Sequence, residues 1–150
     1  MSKSKSGHDL TPLVRSDREW RDELTDMQFH VTRESGTEAA FTGELCDNHE
    51  DGVYVSVCGG LPLFASDAKF DSGSGWPSFV QPIDPEHVIE RVDATHGMAR
   101  TELVCARSGA HLGHVFDDGP APTGRRYCIN SAALRFVPKG KGDESSTKSL

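Results

Sequence analysis

Arg126-Tyr127-Cys128-Ile129-Asn130 places a polar or reactive residue at every second position, with Tyr127 and Ile129 between them. Strand side chains alternate with a period of two. The pentapeptide therefore predicts a half-buried strand with Arg126, Cys128 and Asn130 on one face and Tyr127 and Ile129 on the other. One face then holds a thiol beside a guanidinium. A nearby cation favours the thiolate, which is the nucleophilic form of cysteine. The same five residues also describe a small buried cysteine in a core strand, so at this point chemistry and packing both stand open.

Working outward, residues 43–46, 52–58, 88–93, 98–105, 114–116 and 126–137 read as strands between turns rich in Gly, Pro and Asp. In Tyr54-Val55-Ser56-Val57-Cys58 the two valines share a face opposite Tyr54, Ser56 and Cys58, and one of the faces is expected in the core. Ahead of the strands, Ser16-Asp17-Arg18-Glu19 and Thr25-Asp26-Met27-Gln28 are capping boxes that predict two short helices. The expected class is mainly β. Residues 1–10 and 139–150 lack apolar periodicity and are expected to be disordered tails around a single domain at 11–138.

Composition narrows the function. Sixteen Lys and Arg against 23 Asp and Glu leave a net charge of −7 without a basic stripe, which disfavours binding to nucleic acid or to an anionic membrane. No apolar run approaches the roughly 18 residues of a membrane span, and no apolar segment follows the lysine-bearing start, so a cytoplasmic protein is expected. Cys46, Cys58, Cys105 and Cys128 form no regular framework and in a reducing compartment are expected to be free, reactive or metal-bound.

Two further stretches carry chemistry. In His111-Leu112-Gly113-His114, residues three apart would face opposite ways on a straight strand, but Gly113 permits a turn that unites the imidazoles. Paired imidazoles suit proton transfer, although a lone His-x-x-His equally describes one ring bonded to backbone and one in solvent. In Ser72-Gly73-Ser74-Gly75-Trp76-Pro77-Ser78-Phe79, glycines admit close approach and Trp76 presents an apolar wall suited to a methyl or thioether group. A tryptophan in the core is the plain alternative.

These stretches, with Asp118-Gly119-Pro120, Pro122-Thr123-Gly124 and the run from Arg126 to Ala132, resemble the B-type methionine sulfoxide reductases, which reduce methionine-R-sulfoxide. The likeness extends from about residue 16 to 137 and takes in Trp20, Val31-Thr32-Arg33-Glu34, Gly36-Thr37-Glu38 and Phe41-Thr42-Gly43. It implies a compact fold of two antiparallel β-sheets with short N-terminal helices, of the Mss4-like type. It also implies a peptide-methionine (R)-S-oxide reductase that uses a disulfide as acceptor. Cys128 matches the catalytic nucleophile, and His114, His111, Asp118, Arg126 and Asn130 match the polar set around it. Trp76 and Phe116 fall at substrate-binding positions. On this basis the Cys128 thiolate attacks the sulfoxide sulfur and is left as a sulfenic acid. His114 and His111 supply protons to the departing oxygen, with Asp118 to orient or polarise them.

Two departures stand out. Many relatives hold a structural zinc on two Cys-x-x-Cys pairs, but the aligned positions here are Ser56 and Gly59, then Cys105 and Ser108, so no metal or other cofactor is expected. Many relatives also place a resolving cysteine where this chain has Ser74. Cys46, in a polar stretch, is the expected resolving thiol, with thioredoxin clearing the disulfide. Direct reduction of Cys128 by an external thiol is the alternative. Expected partners are methionine sulfoxide in oxidised proteins and thioredoxin. Two other readings remain: an acyl-transfer site built on Cys128, His114 and Asn130, and a catalytically silent module that binds oxidised protein.

Overall fold

Ser16 and Thr25 start their helices by the same reciprocal device. In the computed structural model, which describes residues 7–93 and 100–139, Glu19 N donates to Ser16 Oγ and Ser16 N to Glu19 Oε1 at 3.2 and 2.9 Å. Thr25 and Gln28 repeat the exchange at 3.1 and 2.8 Å. Helices α1 (Asp17–Glu23) and α2 (Asp26–Arg33) are only seven and eight residues long. Such short helices are unstable alone. Burial of Trp20, Phe29 and Val31 fastens them to the body of the protein.

Nine strands follow among the described residues: β1 (Gly52–Ser56), β2 (Pro62–Ala65), β3 (Lys69–Phe70), β4 (Ser78–Phe79), β5 (Val88–Asp93), β6 (Arg100–Cys105), β7 (His111–Phe116), β8 (Arg126–Ile129) and β9 (Leu134–Pro138). They form two antiparallel sheets, a small one in the order β2-β1-β9 and a large one in the order β3-β4-β8-β7-β6-β5. Aromatic packing joins them. Phe64 of the small sheet stacks on Phe79 of the large one with ring centroids 4.4 Å apart, and Tyr54 meets Phe79 edge-on at 5.1 Å. Tyr127 and Ile129 enter this core, as the alternation in β8 predicts, while Cys128 and Arg126 keep partial exposure on the opposite face.

The structure corrects three expectations and adds three strands that the sequence did not show. Residues 43–46 form turns closed by local bonds, Cys46 N to Gly43 O and Asn48 N to Leu45 O, because this polar stretch has no apolar alternation to seat it in a sheet. Residues 126–137 are two strands, not one. At Ser131–Ala133 a 3₁₀ turn carries the chain from the large sheet into the small one as β9. The segment 54–58 is buried on both faces, since β1 is the central strand of its sheet and the Tyr54 ring also packs on Phe136. The two- and four-residue strands β2, β3 and β4 were too short to show a period. Residues 98 and 99 of the strand expected at 98–105 lie outside the described residues, as do 1–6 and 140–150 of the expected tails. His8 stands edge-on to His87, with ring centroids 5.0 Å apart.

One close approach fixes the centre of the large sheet. Gly113 of β7 pairs with Ile129 of β8, and a Cβ built on Gly113 would meet the Cys128 carbonyl oxygen at 2.0 Å. Only a residue without a side chain permits this distance. Gly113→Ala is expected to destabilise the fold by about 1–3 kcal/mol or more, the ordinary cost of overpacking. A urea midpoint unchanged from wild type would show that the β7–β8 approach is slack.

Candidate active site

Cys128 sits opposite Ser78 of β4 on one side and His114 of β7 on the other, and it lines a cavity of about 290 Å³. Ser74, Trp76, Phe116, Arg126, Asn130, Thr37 and Arg100 also line this cavity. The strand alternation therefore delivers the thiol to an aromatic-walled recess. Ser74 Oγ lies 3.9 Å from Cys128 Sγ and belongs to a hydroxyl chain, with Ser72 Oγ 2.8 Å from Ser74 Oγ and 2.7 Å from Ser78 Oγ.

The thiol's electrostatics differ from the sequence expectation. Burial pushes the Cys128 thiol above the ordinary thiol range, while the Ser74 hydrogen bond and then the Arg126 charge pull it part of the way back. Arg126 is where the pentapeptide places it, yet loss of solvent outweighs its field. The guanidinium is itself engaged. It donates to both Asp118 oxygens, Nε to Oδ1 at 2.9 Å and Nη2 to Oδ2 at 3.2 Å, and stacks 4.4 Å above the Phe116 ring. These bonds hold the Asp118 carboxyl below its usual value.

Asp118 thus orients Arg126, whereas sequence reasoning assigned it to the histidines. The carboxylate on the histidine pair is Glu102, with Oε2 2.7 Å from His111 Nδ1. His111 is buried, and His114 stands in front of it at the cavity, ring centroids 5.5 Å apart. A β-bulge unites the rings. Leu103 pairs with Gly113 but Val104 pairs with His111, so Leu112 is the extra residue that brings positions three apart to one side. Gly113 serves the Cys128 approach instead of making the expected turn.

Glu38, quoted within Gly36-Thr37-Glu38 but given no role, is the node behind the cavity. Its carbonyl accepts from Trp76 Nε1 at 3.0 Å, its N–H donates to Asn130 Oδ1 at 3.0 Å, and its Oε1 accepts from Ala132 N at 2.9 Å. Asn130 Nδ2 donates to Leu112 O at 3.1 Å, so both ends of this amide are tied to backbone. Glu102 could have been found by pairing the alternating strand 100–105 with the histidine segment. Glu38 offered no such signal, since two of its three bonds use backbone atoms.

Cys46 is half-buried on the turn at 43–47. Lys69 Nζ donates to the Cys46 carbonyl at 2.7 Å, and Leu45 N donates to Ser131 Oγ at 3.2 Å, so two bonds pin this turn. Burial, and next the charge of Asp47, raises the Cys46 thiol. When ionised, the Cys46 sulfur adds in a small way to the rise of the Cys128 thiol.

The turns at Ser56–Gly59 and Cys105–Ser108, for which the resemblance raises the question of a structural zinc, are closed by their own hydroxyls. Ser56 Oγ accepts from Cys58 N at 3.1 Å, and Ser108 Oγ accepts from Ala110 N at 3.3 Å. Arg33 reaches between them, donating to Ser108 O at 2.9 Å and easing down the burial-raised Cys58 thiol. Two thiols, two turn-closing hydroxyls and a fixed cation do not fit a tetrahedral zinc ion. Among the described residues no group of three or more His, Cys, Asp or Glu is arranged to hold a metal.

Residues 24–138 match the SelR domain family. The chain is similar to the peptide methionine sulfoxide reductase MsrB of Hahella chejuensis, 62% identical over 127 residues that cover 85% of this chain and 91% of that protein. It is also similar to the protein so named in Thiobacillus denitrificans, 58% identical over 129 residues, 86% of this chain and 98% of that one. For the Herminiimonas arsenicoxydans protein of the same name the figures are 56% over 124 residues, 83% and 90%.

Because Arg126 opposes the effect of burial on Cys128, Arg126→Met is expected to move the thiol's titration to still higher pH. Iodoacetamide labelling of Cys128, followed by peptide mass across a pH series, measures this. A midpoint at or below wild type would contradict it.

Proposed function

The chain belongs to the SelR domain family, and from that membership we propose that it is a peptide-methionine (R)-S-oxide reductase whose chemistry centres on Cys128. The observation that carries the assignment of residues is the register of β8. Cys128 faces His114 across the β7–β8 pair inside a recess walled by Trp76 and Phe116.

The sulfoxide's methyl group lies against the Trp76 wall, which its bond to Glu38 O holds in place. The Cys128 sulfur attacks the sulfoxide sulfur as its proton leaves. His114 handles the proton that the oxygen gains, and Glu102 fixes His111 behind it. Methionine sulfoxide and Cys128 thiol become methionine and Cys128 sulfenic acid, which conserves atoms and moves two electrons from cysteine to substrate. Arg126, held by Asp118, faces the thiolate as it forms. A raised thiol keeps the nucleophile protonated near neutrality, so the attack step accelerates as pH rises toward the thiol's titration.

Cys46 then condenses with the sulfenic acid, releasing water and leaving a Cys46–Cys128 disulfide. Its turn is tied through Leu45 to Ser131, the residue after the cavity-lining Asn130, and this placement supports the assignment. Thioredoxin, or another dithiol, reduces the disulfide. Four free cysteines suit a reducing compartment, and we assign the protein to the cytoplasm on that ground; no helix among the described residues is long and apolar enough to cross a membrane.

Supplied separately with R- and S-methionine sulfoxide, the reduced protein is expected to form methionine from the R epimer alone. Methionine from neither would reject the reductase assignment.

Cys46→Ser is expected to keep the single-turnover burst and lose thioredoxin-driven cycling. Ser74 Oγ lies only 3.9 Å from Cys128 Sγ, so adding Ser74→Cys to that variant is expected to restore cycling. Full cycling in Cys46→Ser alone would instead favour direct reduction of Cys128 by external thiol.

A further inference from the structure

Phe41 combines two features that ordinary packing does not explain. Its φ is +67°, a left-handed backbone that bulky L residues adopt only at a cost, and the residue is 72% exposed. Strain of this kind persists where the surroundings impose it. Here they do. Phe41 N donates to Gly75 O at 2.8 Å, and Thr42 N closes the turn on Ala39 O. Three residues earlier, Glu38 is bonded to both Trp76 and Asn130.

The strained turn delivers the Phe41 ring to one place. A Cβ on Gly75 would lie 2.8 and 2.9 Å from two Phe41 ring carbons, so the ring rests on the bare backbone of Gly75. Gly75 is flanked by Ser74 and Trp76, both of which line the cavity that holds Cys128. Phe41 itself is outside that cavity. The ring therefore extends the Trp76 wall outward onto the rim, as an apolar face open to solvent.

A methionine sulfoxide side chain reaching Cys128 leaves its own backbone at the mouth of the recess and its sequence neighbours on the rim. Free methionine sulfoxide ends in charged amino and carboxylate groups and carries no neighbouring apolar side chain to lay on an aromatic face. We propose that Phe41 is a specificity-determining contact for peptide-bound substrate, receiving an apolar side chain adjacent to the methionine sulfoxide. The proposal rests on the reductase reading above and concerns which sulfoxides the same cavity prefers.

The test compares wild type and Phe41→Asn, since Asn tolerates positive φ and keeps the turn. Three substrates are used: N-acetyl-methionine-R-sulfoxide amide, a pentapeptide with leucine on both sides of the R-sulfoxide, and the same peptide with serine flanks. Wild type is expected to favour the leucine-flanked peptide. In Phe41→Asn its kcat/KM is expected to fall about three- to tenfold relative to the other two substrates, through KM, which is the weight of one aromatic contact. A urea midpoint at or above wild type would confirm that the turn is kept. An equal fall on all three substrates, an unchanged ranking, or a change confined to the KM for thioredoxin would overturn the proposal. Absence of turnover by wild type on every substrate would instead overturn the reductase reading.

Discussion

Everything at the active centre depends on how closely β7 approaches β8. Gly113 lets the Cys128 carbonyl come where no side chain could be tolerated, and that approach sets His114 directly opposite Cys128. Because Ser78 of β4 pairs with Cys128 from the other side, the cysteine backbone is held in the middle of a six-stranded sheet. Rigid elements position reacting groups better than loops do. The residues supplied from loops, Trp76 and Asn130, gain comparable fixity from hydrogen bonds to Glu38.

Electrostatics at the site follow from burial first and charge second. The enclosing walls that exclude water from Cys128 also raise its thiol, and Arg126 with Ser74 offsets part of that rise. Two carboxylates anchor polar groups around the thiol, Asp118 on Arg126 and Glu102 on His111. Separate partners keep the two groups apart: Arg126 is permanently charged and fixed beside the thiol, while Glu102 holds His111 behind His114 at the cavity.

Legibility in the sequence tracked how local each determinant is. The alternation in Arg126–Ile129 and the two capping boxes are written in adjacent residues, and both read correctly. Strands of two residues, such as Lys69–Phe70 and Ser78–Phe79, carry no period of their own and exist only through their neighbours. The histidine pair was found, but its cause was misread. The bulge at Leu112 belongs to the register between two strands, and a single segment cannot display it. Glu38 was invisible for a related reason: its bonds to Trp76 and Asn130 run through backbone atoms, which any residue could supply.

The central claim is that Cys128 takes the oxidising equivalent from the sulfoxide. Its most direct test is one turnover of Cys46→Ser with methionine-R-sulfoxide in the presence of dimedone, followed by peptide mass. The account predicts a dimedone adduct on Cys128 in proportion to the methionine formed. Methionine produced with Cys128 unmodified, or with the adduct on Cys58 or Cys105, would contradict it.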